Sequence, residues 1–155
     1  MGKSVNRVKA AATAAGLEIE LITLPVSART AAEAADGLDC NVGQIAKSLL
    51  FEGAESGALK LILVSGAHAL DLTHAPKLFG EALVRADPKR VRSETGFAIG
   101  GVAPIGHLCE IETFMDAALM QYDCIWGAGG APETVFAIAP AQLLGVTGAT
   151  LFDNG

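Results

Sequence analysis

Apolar segments of strand length alternate along this chain with short, individually capped helices, and the alternation follows no regular β–α–β period. That irregularity is the strongest constraint on the fold. It predicts an α+β domain with a mixed sheet. Val5, Val8 and Ala12 recur at helical spacing, with Gly16 as a stop. Leu17–Leu24 alternates as a strand that Pro25 ends. Thr30 with Glu33, and Asn41 with Gln44, have capping-box spacing for two short helices, the first stopped by Gly37. Lys47–Phe51 and Leu59–Ser65 read as strands, and His74–Phe79 as a weak helix. Asp87-Pro88 caps a basic turn. Ile111–Met115 reads as a strand, and Cys124–Ala128 with Thr134–Ile138 as a hairpin. A helix after Pro140 and a strand near Ala149–Phe152 close the chain.

One domain spanning 1–155 is expected, because no repeat or linker interrupts the 155 residues. A chain of this length needs no disulfide or metal to hold a core. Cys40, Cys109 and Cys124 form no CxxC pair and leave one over, which favours a reducing compartment over a disulfide framework or zinc site. The opening MGKSVNRVKA has charges where a signal peptide needs an apolar run. The uncharged stretch Thr134–Phe152 is broken by Pro140, Gln142 and two glycines, so it reads as buried strand–helix–strand and not as a membrane span. A cytoplasmic protein is the expectation.

The net charge of −6 argues against a general nucleic-acid binder. Its distribution is more informative. Through Arg92 there are 11 basic and 10 acidic residues, whereas from Ser93 onward there are seven acidic and no basic ones. An anionic partner is therefore met by the first 92 residues, where the basic turn Arg85–Arg92 is the densest positive charge.

Lys47 shares a strand face with Leu49 and Phe51. It either meets the last carbonyls of the preceding short helix or points into a cavity, where an unpaired ammonium marks an anion site. In GGVAPIGH, Gly100 to His107, paired glycines let backbone approach a ligand, Pro104 stiffens the bend, and amides can face a developing oxyanion. One such donor is typically worth about 3 kcal/mol. The same loop also reads as an ordinary tight turn. His107 is either a general base or a loop histidine bonded to a carbonyl. Ser27, Arg29 and Thr30 could meet a substrate, although capping alone accounts for Thr30. No dinucleotide fingerprint, P-loop, nucleophile elbow or Cys–His pair is present, and His68 and His74 have no acidic spacing for a metal.

Taken together, SARTAAEAADGLDCNVGQIAKSLLF, LVSG and TGFAIGGVAPIGH resemble the YbaK/prolyl-tRNA synthetase associated domain family, from about Leu17 to the final TGATLFD. The resemblance implies an α+β fold with a mixed, barrel-like sheet surrounded by short helices. It also implies a trans-acting aminoacyl-tRNA deacylase without cofactor or metal. Such an enzyme hydrolyses the ester of a small amino acid of the Ala, Cys, Ser or Thr class from tRNA, with tRNA(Pro) favoured. Its partners would be the acceptor end of an aminoacyl-tRNA and a prolyl-tRNA synthetase. Lys47 stands at the family's essential lysine, expected near the phosphate or ribose of the terminal adenosine. Gly100, Gly101 and Pro104 match the loop that positions the ester and ribose, His107 would line the site, and Ser27 and Thr30 would flank the amino-acid pocket. Such a site needs no protein nucleophile, because a vicinal ribose hydroxyl can activate water and positioning does the rest. Two departures stand out. Ala67-His68-Ala69 is not basic, and GAGGAPETV lacks the acidic residue of the cysteine-editing branch. The competing reading is a non-catalytic tRNA-acceptor or synthetase-binding module.

Overall fold

The computed structural model describes residues 2–24 and 30–154. Among these residues, eight strands form two sheets. The larger is built on β3 (Leu59–Ser65), whose seven residues are all buried. In the run LKLILVS, Leu61 and Leu63 face one hydrophobic cluster while Ile62 and Val64 face another. A strand that is apolar on both faces in this way must lie inside a sheet covered on both sides. β2 (Ala46–Gly53) pairs antiparallel with β3, and β4 (Leu83–Arg85) pairs antiparallel with the far end of β2. On the other side, β5 (Glu112–Asp116) and β8 (Thr150–Phe152) add in parallel, giving the order β4-β2-β3-β5-β8. Lys60, the one charged residue of β3, is 6% exposed and is held by Glu112 and, at 3.6 Å, by Glu81.

The smaller sheet is antiparallel, in the order β1-β7-β6. It comprises β1 (Leu21–Thr23), β6 (Ile125–Ala128) and β7 (Thr134–Ile138). A lone parallel bridge, Ile45 to Trp126, joins the sheets among the described residues. This is the mixed, barrel-like α+β arrangement expected from the sequence. Helix α1 (Lys3–Ala14) buries Val5, Val8 and Ala12, the helical-period set, and the chain leaves it through Gly16 at φ +77°. The other helices are α2 (Ala31–Leu38), α3 (Ala75–Phe79), α4 (Pro88–Thr95) and α5 (Pro140–Thr147). Phe79 of α3 stacks edge-on against Phe114 and Phe152 at 4.9 and 5.1 Å, closing the second cluster.

Local structure departs from expectation at three places. The strand expected over Leu17–Leu24 pairs only at Leu21–Thr23, although Leu17 and Ile19 keep their alternation against the core. α2 does not stop at Gly37 but runs to Leu38, where Asp39 takes the left-handed conformation at φ +53°. β4 was not anticipated, because three residues next to a charged turn carry too little pattern to announce a strand. Thr134–Phe152 is strand, helix and strand (β7, α5, β8), and no helix among the described residues is long and apolar enough to cross a membrane.

Candidate active site at the seam between the sheets

β4 pairs with β2 only at Phe51, Glu52 and Gly53. From Ala46 to Leu49 the same edge of β2 has no ladder partner among the described residues, and β6, which lies near it, is joined only through the Ile45–Trp126 bridge. The gap between the sheets is a cavity of about 540 Å³, within the size range of ligand pockets. Because it runs along a strand edge, four consecutive residues of β2, Ala46 to Leu49, line it. Its walls are mostly small or apolar: alanines of the first turns of α2, Gly66, Gly127, Ala128 and the half-buried Trp126.

Lys47 is the only ionisable residue among the described residues of this lining. Its Nζ donates to the carbonyl of His68 at 2.7 Å and has no carboxylate within 4.0 Å among the described residues. The carbonyl it meets lies across the sheet and not at the end of the preceding 3-10 turn, Val42–Gln44. A half-buried ammonium with one neutral partner leaves the cavity electropositive, which suits an anionic or strongly dipolar guest.

The glycine loop enters from the opposite wall. Gly100 lines the cavity at φ +89°, a backbone conformation that favours glycine, and Val102 follows beside it. The amide of Gly101 donates to the carbonyl of Ala98 at 2.9 Å and so closes the turn. The amides of Gly100 and Val102 have no acceptor among the described residues. Thr30 lies at the rim, fixed as the cap of α2. Its Oγ1 accepts from the Glu33 amide at 3.1 Å and donates to the Glu33 carboxylate at 3.2 Å.

The fold thus brings Thr30, Lys47 and Gly100 to one cavity. Gly101, Pro104 and His107 are not in its lining, and Ser27 lies outside the described residues. Pro104 packs behind β6, where a Cβ on Gly127 would come 3.3 Å from its Cγ and 3.2 Å from Phe136. His107 borders a separate cavity of about 460 Å³ behind the loop. There its Nε2 bonds the Ala103 carbonyl at 2.7 Å and its ring meets Phe97 edge-on at 5.9 Å. Burial pushes its pKa below the ordinary histidine range, partly offset by that carbonyl. The basic turn is also remote. Arg85 sits opposite Phe51, four residues or about 13 Å along β2 from Lys47. Arg90 is engaged by Glu94, Glu52 and the Gly57 carbonyl.

Among the polar and aromatic lining residues, Ser48, Trp126 and Thr134 escaped the sequence reading. Ser48 is notable because its Oγ is enclosed and has no hydrogen-bond partner among the described residues.

Residues 26–146 match the model of the aminoacyl-tRNA editing domain. A solved structure described as "a putative trans-editing enzyme for prolyl tRNA synthetase" superimposes with a TM-score of 0.91 at 44% identity, covering 99% of this chain and 97% of that one. The uncharacterized protein YwhH of Bacillus subtilis (strain 168) is 28% identical over 140 residues, 90% of this chain and 88% of its own. The "Putative Cys-tRNA(Pro)/Cys-tRNA(Cys) deacylase EbsC" of Enterococcus faecalis (strain ATCC 700802 / V583) is 28% identical over 119 residues, 76% of this chain and 72% of its own.

Proposed function

The chain belongs to the aminoacyl-tRNA editing domain family, and from that premise we propose that it acts in trans, hydrolysing the ester of a small amino acid mischarged on tRNA, with tRNA(Pro) as the carrier. One observation carries the reading. Among the described residues, Lys47 is the one charged side chain lining the seam cavity, it has no carboxylate partner, and it shares that lining with Gly100 and Val102, whose amides have no acceptor.

In this mechanism the Lys47 ammonium holds the phosphate or ribose of the terminal adenosine. The ester carbonyl lies against the amides of Gly100 and Val102, which stabilise the charge that develops on its oxygen. Water, oriented by the neighbouring ribose hydroxyl, adds to that carbonyl. The acyl–oxygen bond then breaks, the ribose oxygen takes the proton, and free amino acid and tRNA leave. No protein nucleophile enters, so catalysis rests on positioning and electrostatics.

Gly101 and Pro104 act here by shaping the loop, and His107 by bracing it from behind through the Ala103 carbonyl. Thr30 takes the amino-acid side of the cavity, and Ser27 takes the same side on the strength of its sequence motif. The small residues of α2 and β6 set the volume available to the side chain, a sieve that discriminates by size. The acceptor end of tRNA is the partner, with a prolyl-tRNA synthetase as the source of the mischarged species.

The test is a deacylation panel on tRNAs charged with Ala, Cys, Ser and Thr, run beside aminoacyl-adenosines. Turnover of at least one charged tRNA, faster than of the matching aminoacyl-adenosine, is the expected result. Folded protein that turns over none of them would be a binding module instead.

A further inference from the structure

We infer that His68 is a positioning residue: its ring, anchored on buried Asp116, fixes the backbone carbonyl that holds Lys47 in the cavity. The inference rests on the role proposed for Lys47. Gly66 to Asp71 leaves β3 as a loop without regular structure, and the Lys47 ammonium bonds the His68 carbonyl within it at 2.7 Å. A carbonyl on an irregular loop holds an ammonium steadily only if its peptide plane is fixed.

The fixing groups are all present. His68 Nδ1 lies 3.0 Å from Asp116 Oδ2. That carboxylate is 1% exposed, and its two oxygens also accept the amides of Ser65 at 3.1 Å and Ala118 at 3.0 Å. Asp116 therefore ties the end of β3, the turn after β5 and the His68 ring to one point. The turn is further set by the His68 amide on the Ser65 carbonyl at 2.9 Å and by the Gly66 amide on Ile45 at 2.7 Å. Asn154 holds the next carbonyl, that of Ala69, at 3.3 Å. Within residues 66–71, Leu70 packs against the second buried cluster, and the His68 ring is the side chain that hydrogen-bonds a buried group. Its own side chain is 40% exposed and is not in the lining of the seam cavity, so packing alone does not account for it.

The variants are His68→Ala, which removes the anchor, and His68→Asn, whose Nδ2 occupies the place of the ring's Nδ1 and can donate to Asp116. Two readouts apply. In the NMR spectrum of the intact chain, the two ε protons of a held lysine are inequivalent. Those of Lys47 are expected to be inequivalent in wild type and in His68→Asn, and averaged in His68→Ala. In deacylation, His68→Ala is expected to lower kcat/KM about ten- to a hundredfold, the scale of a slightly misplaced catalytic group. His68→Asn should recover most of that loss, and the thermal midpoint should fall in His68→Ala only by the few degrees that one lost hydrogen bond to a carboxylate entails, and by less in His68→Asn. A Lys47 signal in His68→Ala unchanged from wild type would overturn the inference, as would the failure of His68→Asn to restore it. The spectroscopic arm needs no turnover, so it stands even if Lys47→Met hydrolyses as fast as wild type, a result that would count against the proposed function alone.

Discussion

Replacing Lys47 by Met keeps the length and apolar stem of the side chain and removes its charge. Two effects follow, and their sizes differ enough to separate them. For stability, the change deletes one charge-assisted hydrogen bond, to the His68 carbonyl at 2.7 Å, a bond type worth about 1.5–3 kcal/mol. It also removes the cost of holding a half-buried ammonium without a carboxylate, which offsets most of that loss. The net is about 1 kcal/mol or less, a shift of about 2–4 °C in the thermal midpoint for a chain of this size. For activity, the change removes the only charged group lining the cavity among the described residues. Loss of one preorganised electrostatic donor costs about 2.7–4 kcal/mol at the transition state, or 10²–10³ in rate. Single-turnover hydrolysis of the preferred aminoacyl-tRNA, measured beside a thermal melt, distinguishes the two. The expected result is a loss of at least a hundredfold in rate with a nearly unmoved melt. A loss below tenfold would refute the reasoning, because the ammonium would then not meet the reacting end of the substrate.

Three further outcomes follow from the same coordinates. Glu81 accepts the amides of Ser56 and Glu55, each at 2.8 Å, and these bonds, Ser56 first, hold its pKa down to about 2 from an ordinary 4.5, with Lys60 adding to them. Because the folded pKa is the lower one, its contribution to stability is complete above about pH 4.5 and is lost as the pH falls toward 2; urea midpoints should decline less steeply through that window in Glu81→Gln, and parallel profiles would contradict the assignment. Trp126 is the only tryptophan and lines the cavity, so a non-hydrolysable aminoacyl-adenosine should change its fluorescence on titration, and an unchanged spectrum at saturation would place the ligand elsewhere. Thr30→Ala should cost about 1 kcal/mol in urea unfolding through loss of the α2 cap, and Thr30→Ser should retain it.

Where the chain carried local rules, the sequence was readable. Thr30 accepts the Glu33 amide that its capping-box spacing assigns, and Gln44 reaches back to the Asn41 amide, whereas the Asn41 and Asp87 side chains accept amides two residues on, those of Gly43 and Lys89. Apolar period and proline placement located α1, β2, β3, the β6–β7 hairpin and α5. What escaped has a common cause: it depends on partners distant in sequence. β4 exists because three residues find the edge of β2. Strand alternation put Lys47 and Ser48 on opposite faces, yet both line the cavity, because the cavity follows a strand edge and not a face. Gly100 and Lys47 share that cavity, whereas His107, seven residues after Gly100, faces away from it. The chain reverses between them through left-handed Gly106, and no periodicity reports such a reversal. His68 appeared isolated because its partner, Asp116, lies 48 residues downstream.

The unpaired stretch of β2 also bears on solubility. A bare strand edge with apolar side chains normally templates addition of a foreign strand, the first step toward aggregation. Here the alanines of α2 and the turn holding Ala131 and Pro132 line the cleft along that edge and cover part of it. Widening the cleft to accept bulkier amino acids would therefore also unmask a sticky edge, so selection for broader specificity and selection against self-association oppose each other at the same few small residues.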